Sequence, residues 1–331
     1  MSGEVPNVSF NNGRCMPSIG LGTWKSEKGK VTEAVKAAIE SGYRHFDCAW
    51  CYNNEAEVGL GINAKINDGT VKREDLFIVT KLWCTHREPG RVEMALRDSL
   101  DKLGLSYVDL YLMHTPFAFK ESDEICPRDA DGNVLMSDID YVETWKAMEP
   151  LLEKGLVRSI GVSNFNLEQM ERLLKTDGLK VKPVTNQIEV SPYLTNDELI
   201  SFCKDRGVTI TAYAPLGSAD NPAFQSVKDR PLVINDPVLQ ELGRKYGKTA
   251  AQVALRWGIQ RNTSVIPKSV TPSRIKENIQ ILDFELTEDD MKVISNLNRN
   301  FRACSFPFVP QHKYHPFNTA GQNGESSKNK I

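Results

Sequence analysis

The sequence predicts a closed barrel of eight parallel strands, each followed by a helix. Two observations carry that prediction: strand-like and helix-like segments alternate from end to end, and several strand-like segments carry unbroken apolar residues instead of clean alternation. A third argues against the open alternative. A doubly wound sheet built for a dinucleotide carries G-x-G-x-x-G after its first strand, but here Gly20 and Gly22 are followed by Lys25 where the third glycine belongs. A phosphate loop of the G-x-x-x-x-G-K-[ST] kind is also absent.

The elements follow in order. Apolar runs bounded by turn residues lie at 18–24, 46–49, 77–82, 108–113, 157–162, 184–190, 208–212 and 264–266. Unbroken apolar stretches suit strands covered on both faces, whereas a half-solvated strand alternates. Between them run amphipathic helices. Val31, Val35, Ala38 and Ile39 form one stripe, and Val92, Leu96, Leu100 and Leu103 form another. Gly42, Gly104, Gly155, Gly178 and Gly207 come after such stripes and should end the helices. Three stretches break the rhythm: 117–139, 217–236, and the chain beyond Asn298, where Pro307, Pro310 and Pro316 oppose regular structure. In a barrel these long loops crowd the C-terminal face, where binding sites are built.

Composition narrows the function classes. A formal net charge of −2 provides no basic field for nucleic acid or an anionic membrane. The first residues lack the apolar core of a secretory signal, and no run approaches the roughly 18 apolar residues of a membrane span. Seven cysteines, an odd number, read as reduced thiols in a cytoplasmic protein. The pair Cys48 and Cys51 has C-x-x-C spacing, but it follows a strand instead of opening a helix and lacks a second ligand pair for zinc. That spacing is read as incidental. No apolar interface stripe argues against a monomer, and 319–331, polar and rich in Gly and Ser, is expected to be a flexible tail on one domain spanning 1–331.

Polar residues at the C-terminal ends of barrel strands are the default catalytic candidates. Reading each strand to its end gives Asp47, Lys81, His114, Asn164, Gln187, Tyr213 and Lys268, with Tyr52 just beyond the second strand. Singly, each has an ordinary explanation: an aspartate caps a helix, a lysine is solvated, a tyrosine packs its ring. Together on successive strand ends, Asp, Lys, His and Tyr would make a proton-transfer site.

The runs Gly22-Thr23-Trp24, Asp47-Cys48-Ala49-Trp50-Cys51-Tyr52-Asn53-Asn54-Glu55, Thr80-Lys81-Leu82-Trp83, Leu112-Met113-His114, Gly161-Val162-Ser163-Asn164-Phe165, Asn186-Gln187-Ile188-Glu189 and Ile266-Pro267-Lys268-Ser269-Val270-Thr271-Pro272 resemble the motifs of the aldo-keto reductases. The resemblance extends in order over roughly residues 8 to 317 and is strongest toward animal aldose- and aldehyde-reductase-type members. It implies a (β/α)8 TIM barrel with an N-terminal β-hairpin and NADPH-dependent reduction of aldehydes and ketones. Tyr52 would be the general acid, Lys81 would lower its pKa, Asp47 would hold Lys81, and His114 would orient the carbonyl.

By the same resemblance Tyr213 would stack on the nicotinamide, with Ser163, Asn164 and Gln187 on its carboxamide. Thr23, Trp24, Asp47, Leu216, Ser218 and Val270 would also touch the cofactor. Lys268, Ser269, Thr271, Arg274 and Asn278 would hold the 2′-phosphate and Glu277 the adenine, while the loop 217–236 would fold over the pyrophosphate. Trp24, Trp50, Trp83, His114, Thr115 and Cys304 would contact a small-molecule carbonyl substrate, with Phe306, Pro307 and Phe308 completing the wall. Thr115 stands where aldose-reductase-type members usually have tryptophan, so a pocket unlike theirs is expected. Two other readings remain open: a non-catalytic NADPH-binding protein of the same fold, and a barrel hydrolase or isomerase that binds no nicotinamide.

Overall fold

A computed structural model describes residues 5–218 and 232–317. Eight strands lie side by side in chain order, all parallel: β1 (Leu21–Gly22), β2 (His45–Asp47), β3 (Phe77–Leu82), β4 (Leu110–Met113), β5 (Ile160–Ser163), β6 (Thr185–Glu189), β7 (Thr209–Tyr213) and β8 (Ser264–Val265). The first and last strands meet. Ile19 bridges Val265 and Gly22 bridges Lys268, with the Gly20 and Gly22 amides donating to Val265 O at 2.9 Å and Pro267 O at 3.0 Å. The seam is tight: a Cβ on Gly22 would sit 2.8 Å from the Ile266 carbonyl, so only glycine lets the two backbones close the ring here.

The period of two along each strand separates an inner from an outer core. Val79, Leu110 and Leu112 pack inside the barrel, together with Phe77, Val184 and two residues from the N-terminal segment, Phe10 and Met16. Their neighbours Ile78, Leu82, Tyr111 and Met113 face outward into the much larger cluster that glues the helices to the sheet. The stripes of helices Val31–Glu40 and Val92–Leu103 are buried in that layer. Each such fully buried side chain contributes about 1.5–3 kcal/mol of hydrophobic stabilisation before entropy is counted. The antiparallel hairpin Asn7–Ser9 with Cys15–Pro17 supplies the barrel floor. All five glycines expected to end helices have positive φ, from +65° at Gly104 to +102° at Gly42.

The opposite end carries the long connections. The stretch 117–139 is less irregular than its composition suggests, because Ala118–Phe119 pairs with Met136–Ser137 in a small antiparallel hairpin. The segment 301–317 contains no helix or strand yet is tied down: Gln169 Nε2 donates to Tyr314 O and Asn166 Nδ2 to Pro316 O, both at 3.0 Å. Of the expected lid over 217–236, residues 219–231 lie outside the described residues, as does the expected tail. No described helix is long and apolar enough to cross a membrane.

Candidate active site

The pleat of β3 places the chemistry. Lys81 is in phase with Phe77 and Val79, so its side chain enters the barrel interior and not the helix layer. There it is 1% exposed, and a charge so buried requires a partner. Asp47, at the end of β2, provides it, with Oδ2 2.6 Å from Lys81 Nζ. The ammonium also donates to Cys48 O at 2.9 Å and to the Tyr52 hydroxyl at 3.2 Å. The other Asp47 oxygen accepts from Gln187 Nε2 at 2.7 Å, so residues from β2, β3 and β6 form one hydrogen-bonded set. Thr23 Oγ1 fixes the Asp47 backbone from β1 at 2.8 Å.

A second network carries His114, which follows β4 in phase with Leu110 and Leu112. Its backbone carbonyl accepts from Asn164 Nδ2 at 2.9 Å, and Asn164 Oδ1 accepts from the Tyr213 hydroxyl at 2.7 Å. Asn164 can do both because it sits at φ +63°, a left-handed turn that asparagine tolerates. Ser163 Oγ receives the same amide at 3.1 Å and donates to Gln187 O at 2.8 Å. The His114 ring stands edge-on to Trp83 at 5.0 Å and to Tyr52 at 5.8 Å.

Electrostatics sharpen these roles. Burial holds the His114 imidazole well below its ordinary pKa, helped by the cations Lys81 and Arg87, so the ring is neutral at physiological pH. The Tyr52 phenol is pushed well above 10, first by burial and then by the Asp47 carboxylate. This departs from the sequence-based expectation that Lys81 would lower it. The physical reason is that desolvation of a phenolate, with the Asp47 carboxylate nearby, outweighs the pull of the Lys81 ammonium, whose charge is shared with Asp47 across the 2.6 Å contact. Tyr52 is thus protonated and carries a proton to give.

These groups line a cavity of about 800 Å³ at the C-terminal end of the barrel. Its lining includes the aromatic side chains Trp24, Trp83, Phe306 and Phe308 and the run Lys268, Ser269, Val270, Thr271, with Arg274, Glu277 and Asn278. Asp47, Tyr52, His114, Ser163, Asn164, Gln187, Tyr213, Leu216, Ser218 and Cys304 line it as well. Three expected contacts lie elsewhere. Thr23 is behind Asp47. Thr115, one residue past His114, faces outward, where its hydroxyl meets Cys84 Sγ at 3.2 Å and the buried Arg87 guanidinium. The outer face of the strand, opposite to His114, is why it misses the cavity. Trp50 turns away to donate its indole N–H to Asp98 Oδ2 at 2.6 Å.

The C-x-x-C pair does not resemble a redox couple electronically: burial pushes both the Cys48 and Cys51 thiols well above the usual range. Two residues that the sequence reading quoted within motifs, without a role at the site, belong to it. Glu189, two positions past Gln187 on β6, receives the Ala303 and Cys304 amides at 2.7 and 2.8 Å and anchors the C-terminal wall. It shares the inward phase of Gln187, so reading β6 to its true end would have found it. Cys51 lines the cavity and touches His114, whereas its C-x-x-C spacing reads as incidental in the sequence.

The donor set fits a nicotinamide dinucleotide. Amide and hydroxyl groups of Ser163, Asn164 and Gln187 are gathered beside Tyr213, and the same cavity is lined by the cations Lys268 and Arg274, which suit phosphate. A proton donor beneath a cavity with such a set defines an oxidoreductase barrel. The comparisons agree. The profile described as the aldo/keto reductase family matches residues 18–299, and the chain belongs to that family. Prostaglandin-E(2) 9-reductase of Oryctolagus cuniculus is 46% identical, covering 96% of this chain and 99% of its own. Aldo-keto reductase family 1 member D1 of Mus musculus is 48% identical, covering 96% and 98%. The structure of an aldose reductase from Schistosoma japonicum superposes with a TM-score of 0.88 at 40% identity, covering 94% and 98%. The protein is an oxidoreductase of carbonyl compounds that works with a nicotinamide cofactor.

Proposed function

We propose that this protein uses NADPH to reduce lipophilic aldehydes and ketones, steroid- or isoprenoid-like ones included, with Tyr52 as general acid. The observation that carries the reading is the position of Lys81 Nζ, in contact with both the Asp47 carboxylate and the Tyr52 hydroxyl at the base of an aromatic-walled cavity. When bound, the reduced nicotinamide supplies the hydride. As charge builds on the substrate oxygen, the protonated Tyr52 hydroxyl gives up its proton; an alkoxide is the stronger base even against a phenolate destabilised by burial. Lys81 steadies the resulting phenolate, and Asp47 keeps the ammonium in place. His114, neutral, donates to the same oxygen. Closure of the barrel requires its first and last strands to meet, which supports one domain as the working unit.

The preference for NADPH rests on Lys268 and Arg274, which line the cavity at the start of helix Pro272–Ile279. Two cations and a helix start suit an additional phosphate. The lipophilic substrate class rests on Trp24, Trp83, Phe306 and Phe308, and a relative named for a prostaglandin is consistent with it. The test is nicotinamide oxidation, followed by absorbance, with aromatic aldehydes, medium-chain enals, hexoses and ketosteroids. Turnover led by the apolar members, and faster with NADPH than NADH, supports the proposal. Tight NADPH binding with no turnover of any carbonyl would make the non-catalytic binding protein the better reading.

A further inference from the structure

His114 presents one ring nitrogen to the cavity, and whether that nitrogen donates or accepts depends on where the single proton of the neutral imidazole sits. Among the described residues one side chain meets a ring nitrogen: Cys51 Sγ lies 3.6 Å from Nδ1. Cys51 is brought there by the turn Trp50–Tyr52, which directly precedes the left-handed Asn53 at φ +54°. The rest of the imidazole is enclosed by rings, Trp83 and Tyr52, that meet it edge-on and do not fix a tautomer. Nδ1 is therefore taken, and Nε2 is the nitrogen left for a ligand in the cavity.

We propose that Cys51 is a positioning residue: its thiol donates to Nδ1 of His114, holding the ring in the Nε2–H tautomer, so that the cavity meets a hydrogen-bond donor. A thiol is a weak donor but a still weaker acceptor, and in this buried place it stays protonated. The opposite tautomer would turn a lone pair toward a carbonyl oxygen, which repels the charge that reduction builds there. No proton is transferred in this arrangement; the S–H bond persists and only its direction matters. The inference rests on the proposed role of His114 as donor to the substrate oxygen. It also gives the second cysteine of the C-x-x-C spacing a task unrelated to redox chemistry, while Cys48 stays wholly buried.

The test is nitrogen NMR on the full chain, labelled at its five histidines and bound to NADP+, with His114 assigned by loss of its signals in His114→Gln. We expect wild-type His114 to be a single Nε2–H tautomer whose Nδ1 resonance bears a hydrogen-bond shift. That shift disappears in Cys51→Val and returns in Cys51→Ser. In kinetics, kcat for Cys51→Val falls by roughly threefold to tenfold with little change in KM, less than the hundredfold or more that deletion of a charge-stabilising donor costs. An Nδ1–H tautomer in the wild type, or an Nδ1 resonance that Cys51→Val leaves in place, overturns the proposal. Failure of the Tyr52 assignment would look different: turnover would survive Tyr52→Phe while the His114 signals behaved as expected.

Discussion

At the scale of single residues, the site depends on burying charges only where they compensate each other. Lys81 and Asp47 are both nearly inaccessible, and each is tolerable because the other lies 2.6 Å away. Asp47→Asn should therefore cost more in stability than a surface change, about 3–5 kcal/mol, because it strands a buried ammonium; denaturant unfolding measures this. Lys81→Met, which removes the charge that steadies the Tyr52 phenolate, should retain NADPH binding and lose about a hundredfold or more in kcat. Lys268→Ala should weaken NADPH by at least about tenfold relative to NADH in fluorescence titration. Equal losses for the two cofactors would remove the 2′-phosphate from that position. Asp47, Lys81, Gln187 and Tyr213 were legible in the sequence because polar residues interrupt apolar strands at their ends. Thr115 and Trp50 were misplaced for a geometric reason: adjacency to His114 or Tyr52 in sequence says nothing about which face of the pleat or turn a side chain takes.

At the scale of elements, two close approaches can be tested. Helix Glu55–Asn67 crosses the end of helix Val92–Leu103 at Gly59, where a Cβ would lie 2.4 Å from the Leu103 carbonyl oxygen. Gly59→Ala, normally favourable in a helix, should here destabilise by about 1–3 kcal/mol, since backbone must move. His45 on β2 offers a pH test. It is buried, donates to Pro17 O at 3.1 Å through Nδ1, and its pKa is pulled down to about 4, chiefly by desolvation. Its folded pKa lies below the unfolded value near 6.5, so the unfolded chain binds more protons between them. The stability it contributes is complete above pH 6.5 and is lost as pH falls toward 4, by about 3 kcal/mol. The stability gap between wild type and His45→Asn should close over that window; a gap independent of pH would refute the assignment. Strand order could be read from apolar runs, but strand length could not. The runs expected to begin at Val108 and Val157 enter the regular ladder only at Leu110 and Ile160, and ahead of it an isolated bridge joins Val108 to Val157.

At the scale of the whole molecule, the closed barrel forms the floor of the cavity, and the long connections and the segment 301–317 are laid over its mouth. The segment 301–317 has no regular structure for the sequence pattern to reveal, since its prolines and aromatics carry no period; only its contacts give it a fixed place. Glu189 is its anchor inside the barrel, through the Ala303 and Cys304 amides. Glu189→Ala should loosen that wall and raise KM for bulky apolar carbonyls severalfold, while small aldehydes are turned over almost unchanged; a substrate series measures the split. The central claim, that this barrel reduces carbonyls with the Tyr52 proton, is tested most directly by Tyr52→Phe. The account predicts that NADPH binds as in the wild type while single-turnover reduction of an aromatic aldehyde slows by about a hundredfold to ten-thousandfold. Near-normal turnover in Tyr52→Phe would contradict it and send the search for the acid elsewhere in the cavity.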